Sequence, residues 1–553
     1  MPKLTNTPIP SAFKQIAAGR TDTDNIRKND QQEKGISGKL MIDTGSEQAW
    51  AEGYVVRFPY RHHFYSELTP AMLSLVTLIQ GFRPPAADRP FTYMELGCGS
   101  GFSANLLAAA NPKGRFYAND FIPTQISRAR ALSEECGIPN IGFLEKSFAE
   151  LSDSDLPEFD FITLHNVYSW INEESRRDII RFIRNKLKTG GIVYLNYLSL
   201  PGQAPFLPVR RLLTEFVNRA GGTIESRIRS ALNHLEKLEG AGLRYFSRNA
   251  VVGEGLNTMK NVQPIDILHE FLNENYNVFY RSDIIKEMED AKLTFIGSSN
   301  IAENFDHYSL PPAIQEFSKE IEDPDMKLTI KEFALNKSHG TAIFVRGPYE
   351  MNGQERNERF MKTRFALCVP RANCLPQANI SRGMINLTGE IYSQITDGLA
   401  KGPATLLQLA EIPSVRAYGA EALLQAVLNI IVAGYIRPAI PDEMQEQEHT
   451  RLFNEAVFRY AAAGTDLPAI ASPVLGSGVN ADRFQKLFLL ARRENRADVP
   501  GACWEMFSKT GLKLVKDGSP IERPEDNLSE LGRKYRDEFI GNFLPFYQGI
   551  GIE

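Results

Sequence analysis

Glu95-Leu96-Gly97-Cys98-Gly99-Ser100-Gly101 is the stretch that decides the fold. The apolar run 91–95 before it reads as a strand, and 102–110 after it reads as an amphipathic helix. Glycine at three alternate positions lets the chain turn tightly and lets a ligand lie on the backbone with no Cβ in the way. A glycine loop between a strand and a helix sits where open α/β sheets bind ligands, beyond the carboxyl ends of the strands.

Outward from the loop, short apolar strands alternate with helices. Strands are expected at 91–95, 115–119, 141–145, 159–165 and 191–197, with helices at 102–110, 124–136 and 173–187. That alternation predicts a parallel, Rossmann-like sheet. The strand signal stops after Tyr197, where Ile224, Ile228, Leu232, Leu235 and Leu238 step at helical spacing, as do residues 265–272. A helix at 282–291 and strands at 293–297 and 341–345 then complete seven strands. The resulting division is a flexible segment 1–48, a catalytic domain formed by 49–200 and 280–350, a helical insertion 201–279, and an appended, mainly helical region 351–553. The segment 1–48 has one aromatic residue, Phe13, too little apolar surface to offset its ordering entropy.

Composition narrows the function. The 553 residues carry 62 Lys+Arg against 67 Asp+Glu, a net charge of −5, which disfavours general binding to a phosphate backbone. Five scattered cysteines argue against a disulfide framework, and Cys368 and Cys374, six apart without a nearby histidine, fit no common zinc spacing. No metal site is expected. No segment has the length and apolarity of a membrane span, so membrane insertion is not expected and a cytoplasmic location is. The apolar helix 419–434 lacks Lys and Arg, so it reads as a core or interface helix rather than a nucleic-acid recognition helix.

Two classes compete for the glycine loop. Gly99-Ser-Gly101-Phe-Ser-Ala104 satisfies a loose dinucleotide pattern, and Asp120, nineteen residues after Gly101, suits ribose hydroxyls in either class. Glu95 discriminates, because a carboxylate there repels a pyrophosphate and favours an ammonium or sulfonium. Glu95–Gly101, Asn119-Asp120, Phe159-Asp160-Phe161-Ile162 and Leu187-Lys-Thr-Gly-Gly191 resemble the successive motifs of class I methyltransferases that use S-adenosyl-L-methionine. More narrowly, the chain resembles bacterial methyltransferases that carry a methyltransferase regulatory domain, a group that includes the rickettsial protein-lysine methyltransferases of outer-membrane protein B. That likeness rests on Tyr65-Ser-Glu-Leu-Thr-Pro70, Asp120-Phe-Ile-Pro123, His165-Asn-Val-Tyr168-Ser-Trp170, Leu200-Pro-Gly202, His269-Glu-Phe-Leu-Asn-Glu274, Leu293-Thr-Phe-Ile-Gly-Ser298 and Ser472-Pro-Val-Leu-Gly-Ser-Gly478.

The resemblance implies a cofactor site of Glu95, Gly97, Gly99, Gly101, Asp120, Phe121, Ser147, Phe148 and His165. It implies a catalytic side of His165, Tyr168 and Trp170, with the two aromatics as a wall around a cation and His165 as a base or a strand-end hydrogen-bonding group. Tyr54, Tyr60, His62, His63, Phe64 and Tyr65 read either as a lid over the site or as an edge element packed on the sheet. Gln203 stands where relatives commonly have a tryptophan. A protein substrate with a lysine acceptor is expected, and a homodimer or interdomain contact through the C-terminal helices. A small-molecule or nucleic-acid methyltransferase, or a non-catalytic regulatory protein, remains the alternative.

Overall fold

The structure is a computed structural model that describes residues 61–380, 383–516 and 519–553. The segment 1–48, Tyr54 and Tyr60 lie outside the described residues. Its centre is a sheet in which β1 (Thr92–Leu96), β2 (Arg115–Asp120), β3 (Ile141–Glu145), β4 (Phe159–Leu164) and β5 (Leu187–Ser199) run parallel. Interleaved with the strands are α1 (Pro70–Ile79), α2 (Phe102–Ala110), α3 (Pro123–Glu135) and α4 (Glu173–Lys186).

Alternate residues of each strand feed opposite faces, as the two-residue repeat of a strand requires. Tyr93, Phe161, Ile192 and Tyr194 enter one core, and Met94, Leu96, Ile162, Leu164, Val193 and Leu195 enter another on the far face. Both faces are covered, which is why these strands read as nearly continuous apolar runs. β5 begins at Leu187, earlier than the expected 191, because a register shift against β4 between Phe159 and Phe161 accommodates the Gly190-Gly191 pair within the strand.

Helices α5 (Leu207–Arg219), α6 (Ile224–Gly240), α7 (Ala250–Met259) and α8 (Pro264–Phe271) follow β5. They have a core of their own, in which Leu213, Val217, Ile228, Leu235, Leu256 and Ile267 meet. The chain then returns through α9 (Arg281–Glu289) to β6 (Leu293–Gly297) and β7 (His339–Arg346). The strand order is β3-β2-β1-β4-β5-β7-β6, with β7 antiparallel to both neighbours and the short pair Val278–Phe279 added beside the end of β5. Seven strands in this path agree with the expected sheet. Helices Pro312–Lys319 and Pro324–Leu335, which the sequence reading left unassigned, lie between β6 and β7. A buried ion network fastens them: Glu332 accepts the Arg281 backbone N–H at 3.0 Å, and Glu303 pairs with Lys337 and Arg281.

The region after 351 is mainly helical, with the expected apolar helix found at Gly419–Val432, further helices at Glu390–Leu399 and Leu406–Ala410, and short antiparallel pairs the reading did not foresee. It is not merely tacked on. All nine residues of α2 are buried, because α10 (Gln447–Ala462) and the hairpin Ala469–Ser472/Ser477–Asn480 cover its outer side. Phe102 and Phe453 rings lie 5.8 Å apart, and Asn111 donates to the Gly476 carbonyl at 2.7 Å. The Pro-Val-Leu-Gly-Ser-Gly478 motif is thereby explained: a Cβ on Gly478 would stand 2.8 Å from Leu106. Among the described residues no helix is long and apolar enough to cross a membrane.

Candidate active site

Strand order reverses between β2-β1 and β4-β5, and the carboxyl ends of β1, β2 and β4 open there into a cavity of about 1120 Å3. This is the switch point at which open α/β sheets take ligands. Of the residues the sequence singled out, Glu95, Gly97, Gly99, Asp120, Phe121, Ser147, Phe148, His165 and Trp170 line it; Gly101 and Tyr168 do not.

The glycines play three different parts. All three have positive φ, at 72°, 54° and 68°. A Cβ on Gly97 would lie 2.5 Å from Val167, and one on Gly101 would lie 2.5 Å from Ala129, so these two allow the loop and α2 to pack. At Gly99 a Cβ would meet no protein atom within 4 Å. The space there is cavity, and only Gly99 keeps it open for a ligand.

Two buried carboxylates face that space without a cation. Glu95 is 5% exposed, its Oε2 has no hydrogen-bond partner, and burial, then Asp120, push its carboxyl up to about 8. Asp120 accepts the N–H groups of Gly99 at 2.9 Å and Ile122 at 3.0 Å, yet burial still raises it to about 6. Unpaired buried carboxylates are costly, so a site holding two of them is built for a ligand that supplies positive charge and hydroxyl donors. The orphan oxygen of Glu95, the open face of Gly99 and the carboxylate of Asp120 fit the ammonium and ribose of S-adenosylmethionine. Phe121 and Phe148 are each only partly buried, as cavity walls rather than core. Ser147 differs from expectation. Its hydroxyl is committed to Glu150 (2.8 Å), capping the short helix Phe148–Ser152, so it offers the cavity little beyond its position.

The opposite wall comes from residues 61–67 and the end of β4. Tyr65 stacks on His165 with ring centroids 3.6 Å apart, and His62 Nδ1 lies 2.9 Å from the Ser100 hydroxyl in the glycine loop. Of the two readings of this aromatic segment, the described part, 61–65, faces the site. His165 pairs through Nδ1 with the Tyr194 hydroxyl at 3.0 Å, while its Nε2 is buried without a partner. Burial, then His339, lowers it to about 3, which makes it a neutral hydrogen-bonding group and a poor proton acceptor. Trp170 is 2% exposed, lines the cavity and leaves its indole N–H unpartnered. Tyr168 corrects the expectation of an acceptor wall built from two aromatics. It turns to the other face of the sheet, donates its hydroxyl to Glu287 and packs on Phe279. Gln203 likewise stays out of the cavity, buried and bonded to the Tyr276 hydroxyl.

Sequence reasoning missed the carboxylates of α8. Asp266 and Glu270, one turn apart, line the cavity, and Asp266 pairs with Arg61 at 3.1 Å. Glu270 stood inside the His269–Glu274 motif with no role attached to it, and its i, i+4 spacing from Asp266, opposite the apolar face of the 265–272 helix, was the other sequence signal.

Comparison with known proteins agrees with this architecture. Residues 94–191 match the model of a methyltransferase domain, and residues 265–346 match that of a predicted methyltransferase regulatory domain. An uncharacterized protein of Synechocystis sp., sll1526, is 35% identical over 505 residues, which cover 91% of this chain and 99% of that protein. An uncharacterized protein of Rickettsia prowazekii, RP789, is 23% identical over 333 residues, covering 60% of this chain and 59% of that one. Among solved structures, PKMT2 from Rickettsia typhi in complex with AdoHcy superposes with a TM-score of 0.64 at 18% identity, covering 86% of this chain and 99% of that one. The fold and site thus define a class I, S-adenosylmethionine-dependent methyltransferase. Within that class, the chain belongs to the family that joins a methyltransferase domain to a methyltransferase regulatory domain, the family it shares with the Synechocystis protein.

Proposed function

We propose that the chain transfers methyl groups from S-adenosylmethionine to the side-chain amine of lysine in a protein. The observation that carries the reading is the character of the cavity beyond the glycine loop. It is walled by Tyr65, His165 and Trp170 and edged by Glu67, Asp266 and Glu270, and it is far larger than one cofactor needs. Ring faces and carboxylates attract an ammonium, which supports an amine acceptor on this wall, although Arg61, Lys146, Arg437, Arg483 and Lys486 also line the cavity.

When bound, the cofactor supplies an electrophilic methyl group on a sulfonium. Glu95 would hold its ammonium, Asp120 its ribose hydroxyls, Gly99 its approach to the backbone, and Phe121 and Phe148 the adenine, with Gly97 packing the loop on Val167. Gly101 shapes the loop from behind. PKMT2, with its bound AdoHcy, supports this arrangement through the shared fold. The acceptor must lose a proton before it can attack. At pH 7 about one lysine in 2,500 is neutral at a pKa of ~10.4, a deficit of roughly 4–5 kcal/mol. Desolvation in the cavity lowers that deficit, while the ring faces and carboxylates that attract the ammonium raise it, so recognition and activation of the amine oppose each other here. In the division of labour we propose, 49–200 and 280–350 hold the donor, 201–279 closes the acceptor side, and 351–553 braces α2 while extending the cavity. Incubation with labelled S-adenosylmethionine and fractionated bacterial extract tests the reading. Label on protein lysine is expected; label confined to small molecules or nucleic acid refutes it.

A further inference from the structure

Glu270 is a cavity carboxylate that no cation answers among the described residues. It lines the cavity, and among the described residues it has neither a hydrogen bond nor an ion pair, whereas Asp266, one turn earlier on α8, is engaged by Arg61. Burial, then Asp266, push its carboxyl up to about 7, the condition of an acid waiting for a counter-charge. Its surroundings indicate where that charge would sit. Glu270 is the carboxylate that acts most strongly on the Tyr65 hydroxyl, ahead of Glu67, Glu95 and Asp266. Tyr65 in turn stacks on His165, whose Nε2 is buried, unpartnered and part of the same cavity wall, and His165 is 7% exposed. Trp170, 2% exposed and with an unpartnered indole N–H, lines the same space. An acidic group and two unsatisfied buried polar atoms therefore line the same cavity as Tyr65.

We infer that Glu270 is the specificity-determining residue of the acceptor subsite: it pairs with the acceptor's cationic amine and holds it between the Tyr65 and Trp170 rings. The inference rests on the reading of a lysine-type acceptor and goes beyond it by naming the anion that selects the amine. It also gives the insertion a direct role. Ile267, Leu268 and Phe271 of α8 are locked into the helical core, so the acceptor carboxylate is presented on a rigid element that does not belong to the sheet. Selection of a cation over a neutral or anionic side chain follows from the charge on that element and not from the donor site.

The experiment uses the full chain saturated with S-adenosylhomocysteine, and n-butylammonium as a mimic of the lysine side chain. Saturation-transfer NMR should show n-butylammonium bound to the wild type, with n-butanol giving at least tenfold less signal. Glu270→Gln should lose the signal at least tenfold, keep S-adenosylhomocysteine affinity within twofold, and raise the acceptor KM with little change in kcat. Glu270→Asp should restore part of the amine signal. Equal amine binding by wild type and Glu270→Gln, or loss of S-adenosylhomocysteine affinity in that variant, overturns the assignment. If the amine binds through Glu270 but no protein lysine is ever labelled, the inference stands and the protein-substrate reading falls.

Discussion

Replacing Glu95 by glutamine should exchange cofactor affinity for stability, and the exchange should depend on pH. In the cofactor-free protein the Glu95 carboxyl is raised to about 8 by burial and by Asp120, from an ordinary value near 4.5. An acid whose folded pKa is raised destabilises the fold. The penalty is absent below pH 4.5, grows as pH rises, and is complete above pH 8. At 1.36 kcal/mol per unit it reaches about 3 kcal/mol at pH 7, about 4 kcal/mol at pH 8 and about 5 kcal/mol at its limit. Glutamine escapes that penalty but leaves a buried amide short of partners, at about 1–3 kcal/mol. Glu95→Gln should therefore be less stable than wild type at pH 5, equal near pH 6, and more stable by about 1–3 kcal/mol at pH 8. Affinity should move the other way. Binding an ammonium requires the ionised carboxylate, so wild-type affinity for S-adenosylmethionine should rise about tenfold between pH 6 and 7 and level off near pH 8, where α-amino groups themselves titrate. The variant should lack that rise, keeping only the dependence below pH 6 that Asp120 contributes. Thermal unfolding of the cofactor-free proteins from pH 5 to 8.5, with calorimetry of binding over the same range, measures both. A stability difference that does not vary with pH, or a variant whose affinity climbs in parallel with wild type, would show that Glu95 is not the uncompensated charge of the donor site.

The other expectations follow from the same wall-by-wall description. Asp120→Ala should weaken S-adenosylmethionine binding by about 1–3 kcal/mol, roughly 5- to 150-fold by calorimetry, since a charge-assisted pair of hydrogen bonds is lost. Gly99→Ala should lower cofactor affinity far more than stability, whereas Gly101→Ala, whose methyl would press on Ala129 and Phe143, should lower the melting temperature first. Trp170→Ala should reduce turnover much more than cofactor affinity; equal loss of both with a falling melting temperature would make Trp170 a packing residue. A fragment ending at residue 350 should aggregate, because it bares the outer side of α2, and a soluble, cofactor-binding fragment would contradict the shared core described above.

The donor half of the site was legible in the sequence because its determinants are local. A strand end, three glycines and the next strand end lie within 26 residues (95 to 120), and the chain that links them has few ways to fold. The acceptor half was harder to read. Tyr65, His165 and Glu270 are far apart in the chain and meet only through the packing of an edge segment, a strand end and the inserted helices. No spacing rule links them. Tyr168 misled for a related reason. Past the strand end at Leu164, Tyr168–Trp170 form one 3-10 turn of three residues per turn, so Tyr168 and Trp170 do not share a face as residues two apart in a strand would.

The same distinction explains the C-terminal region. Read by itself, α2 (Phe-Ser-Ala-Asn-Leu-Leu-Ala-Ala-Ala) is an amphipathic helix with a weak polar side, small enough to pass for surface. In the fold Ser103 and Asn105 are spent on the His63 and Ala129 carbonyls, while Gly476 and Gly478 bring the hairpin against Asn111 and Leu106, and Thr69 meets the Ser477 hydroxyl at 2.8 Å. Glycine at 476 and 478 is what such close approach requires, since a Cβ at either would stand 2.8 Å from Asn111 or Leu106. Helix α2 also starts at Gly101, directly after the loop that carries Glu95 and Gly99. A C-terminal region that clamps α2 therefore fixes the loop from behind. The positioning of the donor site depends on residues more than 350 positions further along the chain, and its geometry belongs to the whole molecule rather than to the segment that carries the motif.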